Sequence, residues 1–122
     1  MEFYEEIPAR GFDCKELQQH LSIHNLPRLC RSIETVISDN QTSGVIYCLW
    51  GQYEINREAL KNGVRFSLPT CPNALAWTVT LTNDVITVHC TINKKTHDED
   101  FIASIYKFMA DWVGGMRQVT QH

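Results

Sequence analysis

Five cysteines and five histidines carry most of the chemical capacity of this 122-residue chain. The thiols, Cys14, Cys30, Cys48, Cys71 and Cys90, are odd in number, and their spacing matches neither a zinc knuckle nor a dithiol redox pair. Free thiols in a reducing, cytoplasmic compartment account for them. Cys30, Cys48 and Cys90 fall in apolar stretches and read as inert core. Cys14 falls in the first turn of a predicted helix, where backbone amides favour a thiolate, but Asp13 and Glu16 oppose that shift. Cys71 stands between Pro69 and Pro72 in LPTCPNA, a loop that either presents the thiol or simply turns the chain, with Asn73 able to close the turn.

Among the histidines, His20 and His24 have a spacing that can bridge a metal on one helix face, yet Asn25 and Pro27 end that helix near residue 22. No third ligand has compatible spacing, so no metal is expected. His97 reads as a helix-start residue and His122 as the chain's frayed end. His89 lies on an alternating stretch beside Thr78, Thr80, Thr87 and Thr91, a polar face that either receives a ligand or partner or is plain sheet exterior. The same hairpin supplies no carboxylate to orient the ring, so acid–base chemistry is not expected there. Arg57 and Arg65 can bind an anion or pair with Glu54 or Glu58, and surface ion pairing is the simpler expectation. The candidate ligand-contacting set is therefore Cys71, His89, Arg65 and Thr78.

Positioning these residues falls to a small set of predicted elements. The opening FYEEIPA suggests an edge strand with Pro8 near its end. Asp13 and Glu16 form a capping box, with Phe12 stapling onto Leu17, for a helix at about 14–22. Asn25 and Pro27 open a second helix, along which Leu26, Leu29, Cys30, Ile33, Val36 and Ile37 recur as an apolar stripe ending before DNQTSG. Val45 to Trp50 is a continuous apolar run, read as a central strand covered on both faces. Residues 56–62 fit a one-turn helix or a hairpin through Asn62-Gly63, and Val64, Phe66 and Leu68 mark a half-buried strand.

The clearest passage is ALAWTVTLTNDVITVHCTIN. A two-residue turn at Asn83-Asp84 pairs Leu81 with Ile86, Val79 with Val88, Trp77 with Cys90 and Leu75 with Ile92, and puts Thr82, Thr80, Thr78 and Ala76 opposite Val85, Thr87, His89 and Thr91. A closing helix begins with a Thr96/Glu99 capping box, carries Phe101, Ile102, Ile105, Phe108, Met109, Trp112 and Val113 inward, and stops at Gly114-Gly115. Trp50, Trp77 and Trp112 read as core anchors.

The expected fold is one α+β domain over residues 1–122. It is a two-layer sandwich in which an antiparallel meander of about four to five strands carries the N-terminal helices and a long C-terminal helix on one face. Composition supports an ordinary soluble domain, with 43% hydrophobic and 20% charged residues and a net charge of −3. Scattered basic residues give no stripe for phosphates, so nucleic acid is not an expected partner. No apolar run is long enough for a bilayer, and the acidic start does not resemble a signal peptide. There is no phosphate loop, nucleophile elbow or metalloprotease helix, and no cofactor or catalytic set is expected. The chain therefore reads as a non-enzymatic cytoplasmic binding or adaptor domain that self-associates or binds a protein partner. The alternative is a small-molecule sensor or small enzyme using a cleft between the sheet and the C-terminal helix.

Overall fold

A computed structural model describes residues 1–94 and 96–121, and His122 lies outside this set. The chain runs β1 (Glu2–Pro8), α1 (Cys14–His20), α2 (Leu26–Leu29), β2 (Ile33–Asp39), β3 (Ser43–Cys48), β4 (Gly51–Leu60), β5 (Gly63–Ser67), β6 (Ala76–Thr82), β7 (Val85–Thr91) and α3 (Glu99–Thr120). The strands form one antiparallel sheet of seven in the order β1-β7-β6-β5-β4-β3-β2, more than the four to five expected. Consecutive strands pair throughout from β2 to β7. β1 closes the far edge against β7.

The helices pack on one face of this sheet. Alternation sends Trp77, Val79 and Leu81 of β6 and Ile86, Val88 and Cys90 of β7 into the core, while the threonines between them stay half-exposed. The space between sheet and α3 is filled by aromatic rings. Trp77 lies with its centroid 5.4 Å from Phe66 and 4.9 Å from Phe108, and Trp112 packs 6.2 Å from Trp77. The indole N–H groups of Trp77 and Trp112 find no acceptor among the described residues, so apolar contact holds this cluster. Trp50 is only half-buried and donates its indole N–H to Ser104 Oγ at 2.8 Å, tying the β3–β4 turn to α3.

The expected β6–β7 register is present from Ala76 opposite Thr91 to Thr82 opposite Val85. Asn83 and Asp84 both take positive φ, 51° and 63°, as a two-residue turn matched to strand twist demands. Leu75 and Ile92 are buried but lie beyond the paired rungs. Residues 56–62 belong to a β4–β5 hairpin. Its turn residues are Lys61 and Asn62, so Leu60 faces Gly63 and Glu58 faces Arg65.

Four expectations are corrected. The second helix covers only Leu26–Leu29, and Ile33–Asp39 is an edge strand. Register shifts between Ile33 and Thr35 and between Val36 and Ser38 place Ile33 and Val36 against the core at a spacing of three, which imitates a helical stripe. The apolar strand β3 is next to this edge and is not covered on both faces, since Tyr47 is exposed. Gly114-Gly115 does not end α3, which continues to Thr120. A Cβ on Gly115 would collide with the backbone of Leu29, so this glycine lets α3 approach α2 closely. The N-cap of α3 is Asp98, accepting from the Phe101 amide at 2.7 Å, in place of Thr96.

At α1, Asp13 caps as expected, accepting from the Glu16 amide at 2.7 Å. Arg57 makes no surface ion pair of the kind expected. It reaches from β4 to the last turn of α1, donating from Nε to the Leu21 carbonyl at 2.7 Å and from Nη2 to the Gln18 carbonyl at 3.0 Å. A guanidinium there satisfies carbonyls that the helix leaves unpaired and meets the negative end of its dipole. Among the described residues, no helix is long and apolar enough to cross a membrane.

Candidate functional site

Packing of α1, α2 and α3 on one face leaves the other face of the sheet uncovered. Register brings Tyr4 of β1 beside His89 of β7, His89 beside Thr78 of β6, Thr78 beside Arg65 of β5, and Arg65 beside Glu58 of β4. These residues all point outward, so five strands carry one transverse row. Strand spacing of about 4.8 Å makes Tyr4 to Arg65 roughly 14 Å.

Three of the four residues singled out from the sequence, His89, Thr78 and Arg65, are consecutive in this row. They line a shallow depression of about 120 Å³ with Ala76, Trp77 and Thr91. Cys71 is not part of it. The β5–β6 loop holds Cys71 half-buried against the core, with its amide on the Leu68 carbonyl at 3.0 Å. Its electrostatic neighbours are Cys48, Tyr53 and the inward-facing Cys90. Because adjacent residues on β7 point to opposite faces, the thiol that approaches Cys90 is separated by the sheet from His89.

Two members of the row's end were missed in the sequence. Glu2 on β1 accepts from or pairs with His89 Nε2 at 3.0 Å, and the Tyr4 hydroxyl donates to the same carboxylate oxygen at 3.2 Å. The Tyr4 ring stacks on the His89 imidazole, with centroids 4.2 Å apart and planes 4° from parallel. The carboxylate absent from the hairpin thus comes from a strand 87 residues away in sequence. The alternation of Glu2, Tyr4 and Glu6 with Phe3 and Ile7 marks an outward polar face on β1. Only knowledge that β1 pairs with β7 would have connected it to His89.

Chemically, Glu2 orients the imidazole and gives it a charge partner if it protonates. Partial desolvation and the Glu2 carboxylate hold the Tyr4 hydroxyl above its ordinary pKa. Its desolvation at the edge comes first among the causes, followed by the charge and hydrogen bond of Glu2, and all three raise its pKa. Tyr4 therefore stays a neutral donor at physiological pH. The depression is well below the roughly 300–1,000 Å³ of small-molecule sites, so it does not enclose a substrate or exclude water from the His–Glu pair.

The buried thiols lie elsewhere. Burial pushes the Cys30 thiol up to about 12, with backbone amides of Ser32 and Ile33 opposing in part, and burial likewise pushes Cys90 up to about 12. Neither is a nucleophile near neutral pH. Comparison of the chain with protein families, curated proteins and solved structures finds no match.

Proposed function

We propose that this chain is a non-enzymatic binding module that self-associates through its uncovered sheet face. The row Tyr4–His89–Thr78–Arg65 carries this reading, because it is complementary to itself. A two-fold axis running along the strands between β6 and β7 sets Arg65 of one copy over Tyr4 of the other, and His89 over Thr78. The first contact is a cation over an aromatic face, and the second pairs an imidazole nitrogen with a hydroxyl. An isologous interface requires this reciprocity.

The dimensions set the scale of the contact. With the axis between β6 and β7, strands β1, β7, β6 and β5 overlap their counterparts, and at about 4.8 Å spacing and roughly seven residues each they give a footprint of roughly 20 by 20 Å, about half of the ~800 Å² per partner of a standard interface and in keeping with a weak dimer. Aligned sheets pack about 10 Å apart, within reach of Arg and Tyr side chains. The alternative of a ligand cleft between the sheet and α3 has less support, since Phe66, Trp77, Phe108 and Trp112 occupy that space.

Sedimentation velocity tests the reading. The expected result is a dimer that Arg65→Glu and Tyr4→Ala each convert to monomer without loss of folded circular dichroism. A protein that stays monomeric at ~100 µM overturns it, as does a dimer that neither substitution weakens.

A further inference from the structure

A second feature, on the helical side of the molecule, goes beyond the self-association reading. Between α2 and α3 runs an open trough of about 490 Å³, lined among others by Arg28, Arg31, Gly114 and Gln118. A smaller depression of about 210 Å³ continues it toward His20, sharing Arg28, Leu29, Gly115 and Gln118. The trough's volume falls within the range of small-molecule sites.

Its shape follows from the two glycines of α3. Gly115 brings α2 against α3, and Gly114 leaves the helix surface bare, since a Cβ there would meet nothing within 4 Å. Ala110, one turn earlier, extends this smooth floor. Pro27 and Leu29 form an apolar wall.

The charges are arranged unequally. Asp111 is the carboxylate lining the trough, and it is already engaged, accepting from Ser32 Oγ at 2.6 Å and from Lys107 Nζ at 2.9 Å. Burial raises its pKa, but the Ser32 and Lys107 hydrogen bonds and the charges of Lys107 and Arg31 outweigh this, so it stays ionised. Among the described residues, neither Arg28 nor Arg31 forms an ion pair. Two guanidinium groups three residues apart, Arg28 in α2 and Arg31 just beyond it, line a preformed polar trough, and the Asp111 carboxylate that senses the charge of Arg31 has its hydrogen bonds from Ser32 and Lys107. Arg forks recognise tetrahedral and planar oxyanions by paired N–H donors.

We propose that this trough binds a phosphate-bearing small molecule, with the phosphate held by Arg28 and Arg31 and the body of the molecule lying on the Ala110–Gly114 floor beside Gln118. Gly114 is the specificity feature. Any side chain at this position would occupy the floor while leaving both arginines in place.

Amide chemical shifts in the full chain test this by titration with phenyl phosphate and, separately, inorganic phosphate, each against sodium chloride of equal ionic strength. Saturable shifts at Arg28, Gly114 and Gly115 are expected, with phenyl phosphate at least tenfold tighter than inorganic phosphate. The Arg28→Ala/Arg31→Ala double variant is expected to lose binding of both probes. Gly114→Leu, at a position with open space, is expected to fold and to lose the advantage of phenyl phosphate while keeping inorganic phosphate. Shifts that do not saturate, or that chloride reproduces, overturn the site. Equal affinity for the two probes, or an unchanged phenyl phosphate affinity in Gly114→Leu, overturns the role assigned to the floor.

Discussion

Gly114 and Gly115 are neighbours in the same helix, yet replacing each by alanine should change stability differently, with a gain at Gly114 and none at Gly115. Both substitutions gain the helix propensity that alanine has over glycine, about 1 kcal/mol in a helix interior. At Gly114 nothing lies within 4 Å of the new methyl, so this gain is retained. At Gly115 the methyl would meet the carbonyl oxygen of Leu29 at less than contact distance and its Cα at 2.8 Å. That obstacle is backbone and cannot swing aside as a flexible side chain would. Overpacking of this kind costs about 1–3 kcal/mol and occasionally more, so Gly115→Ala should be neutral to about 2 kcal/mol destabilising after the propensity gain. The two variants should therefore differ by at least ~1 kcal/mol and as much as ~3 kcal/mol. Urea unfolding followed by tryptophan fluorescence measures this, because Trp77 and Trp112 are buried in the folded chain. Midpoints should rise for Gly114→Ala and stay level or fall for Gly115→Ala at unchanged slope. If both variants are stabilised equally, within about 0.5 kcal/mol, the close α2–α3 approach is not a constraint and the account of Gly115 is wrong.

Arg57→Ala should destabilise the chain by about 1.5–3 kcal/mol, the range for hydrogen bonds to a charged group, because the Gln18 and Leu21 carbonyls lose their donor. Arg57→Lys should recover only part of this in the same unfolding assay, since one ammonium lacks the fork that reaches both oxygens. Thiol labelling of native protein at pH 8 with mass-spectrometric readout should modify Cys14 and Cys71, which are half-exposed, and spare Cys30 and Cys90. Burial raises the folded pKa of these two thiols from 9.0 to about 12, so the stability linked to keeping them protonated is fully present below pH 9 and lost as pH rises toward 12. A loss of stability confined to acid pH, or rapid labelling of Cys90, would contradict this assignment.

Legibility from sequence depended on whether local pattern and global partner agreed. The β6–β7 hairpin could be read residue by residue because a slip of one would have exchanged Trp77, Val79 and Leu81 for threonines on the core face. The closing helix was equally plain in its interior, where Ile105, Phe108, Met109 and Trp112 are all buried. Its end was not, because a glycine pair carries the same letters whether it terminates a helix or admits a neighbouring backbone. The strand at Ile33–Asp39 was hidden by its own bulges, which break the two-residue alternation by which strands are recognised. Of the outward row, Thr78, His89 and Arg65 were visible as polar residues on alternating strands. Glu2 and Tyr4 were not, since their connection to His89 exists only through the pairing of β1 with β7. Cys71 was separated from that row for a related reason, as a loop residue carries no periodicity to say which side of a sheet it will join.

The pairing of β1 with β7 also bears on how the chain is made. Residues 2–8 leave the ribosome well before their partners, residues 85–91. At about 5–20 residues per second, the intervening chain of roughly 80 residues takes on the order of 4–16 s to synthesise. During that interval the FYEEI segment has both strand edges open. Glu5 and Glu6 occupy its middle, and charge there discourages pairing with a foreign strand. The acidic residues that look like ordinary surface in the finished sheet would thus protect the nascent chain until the last strand arrives.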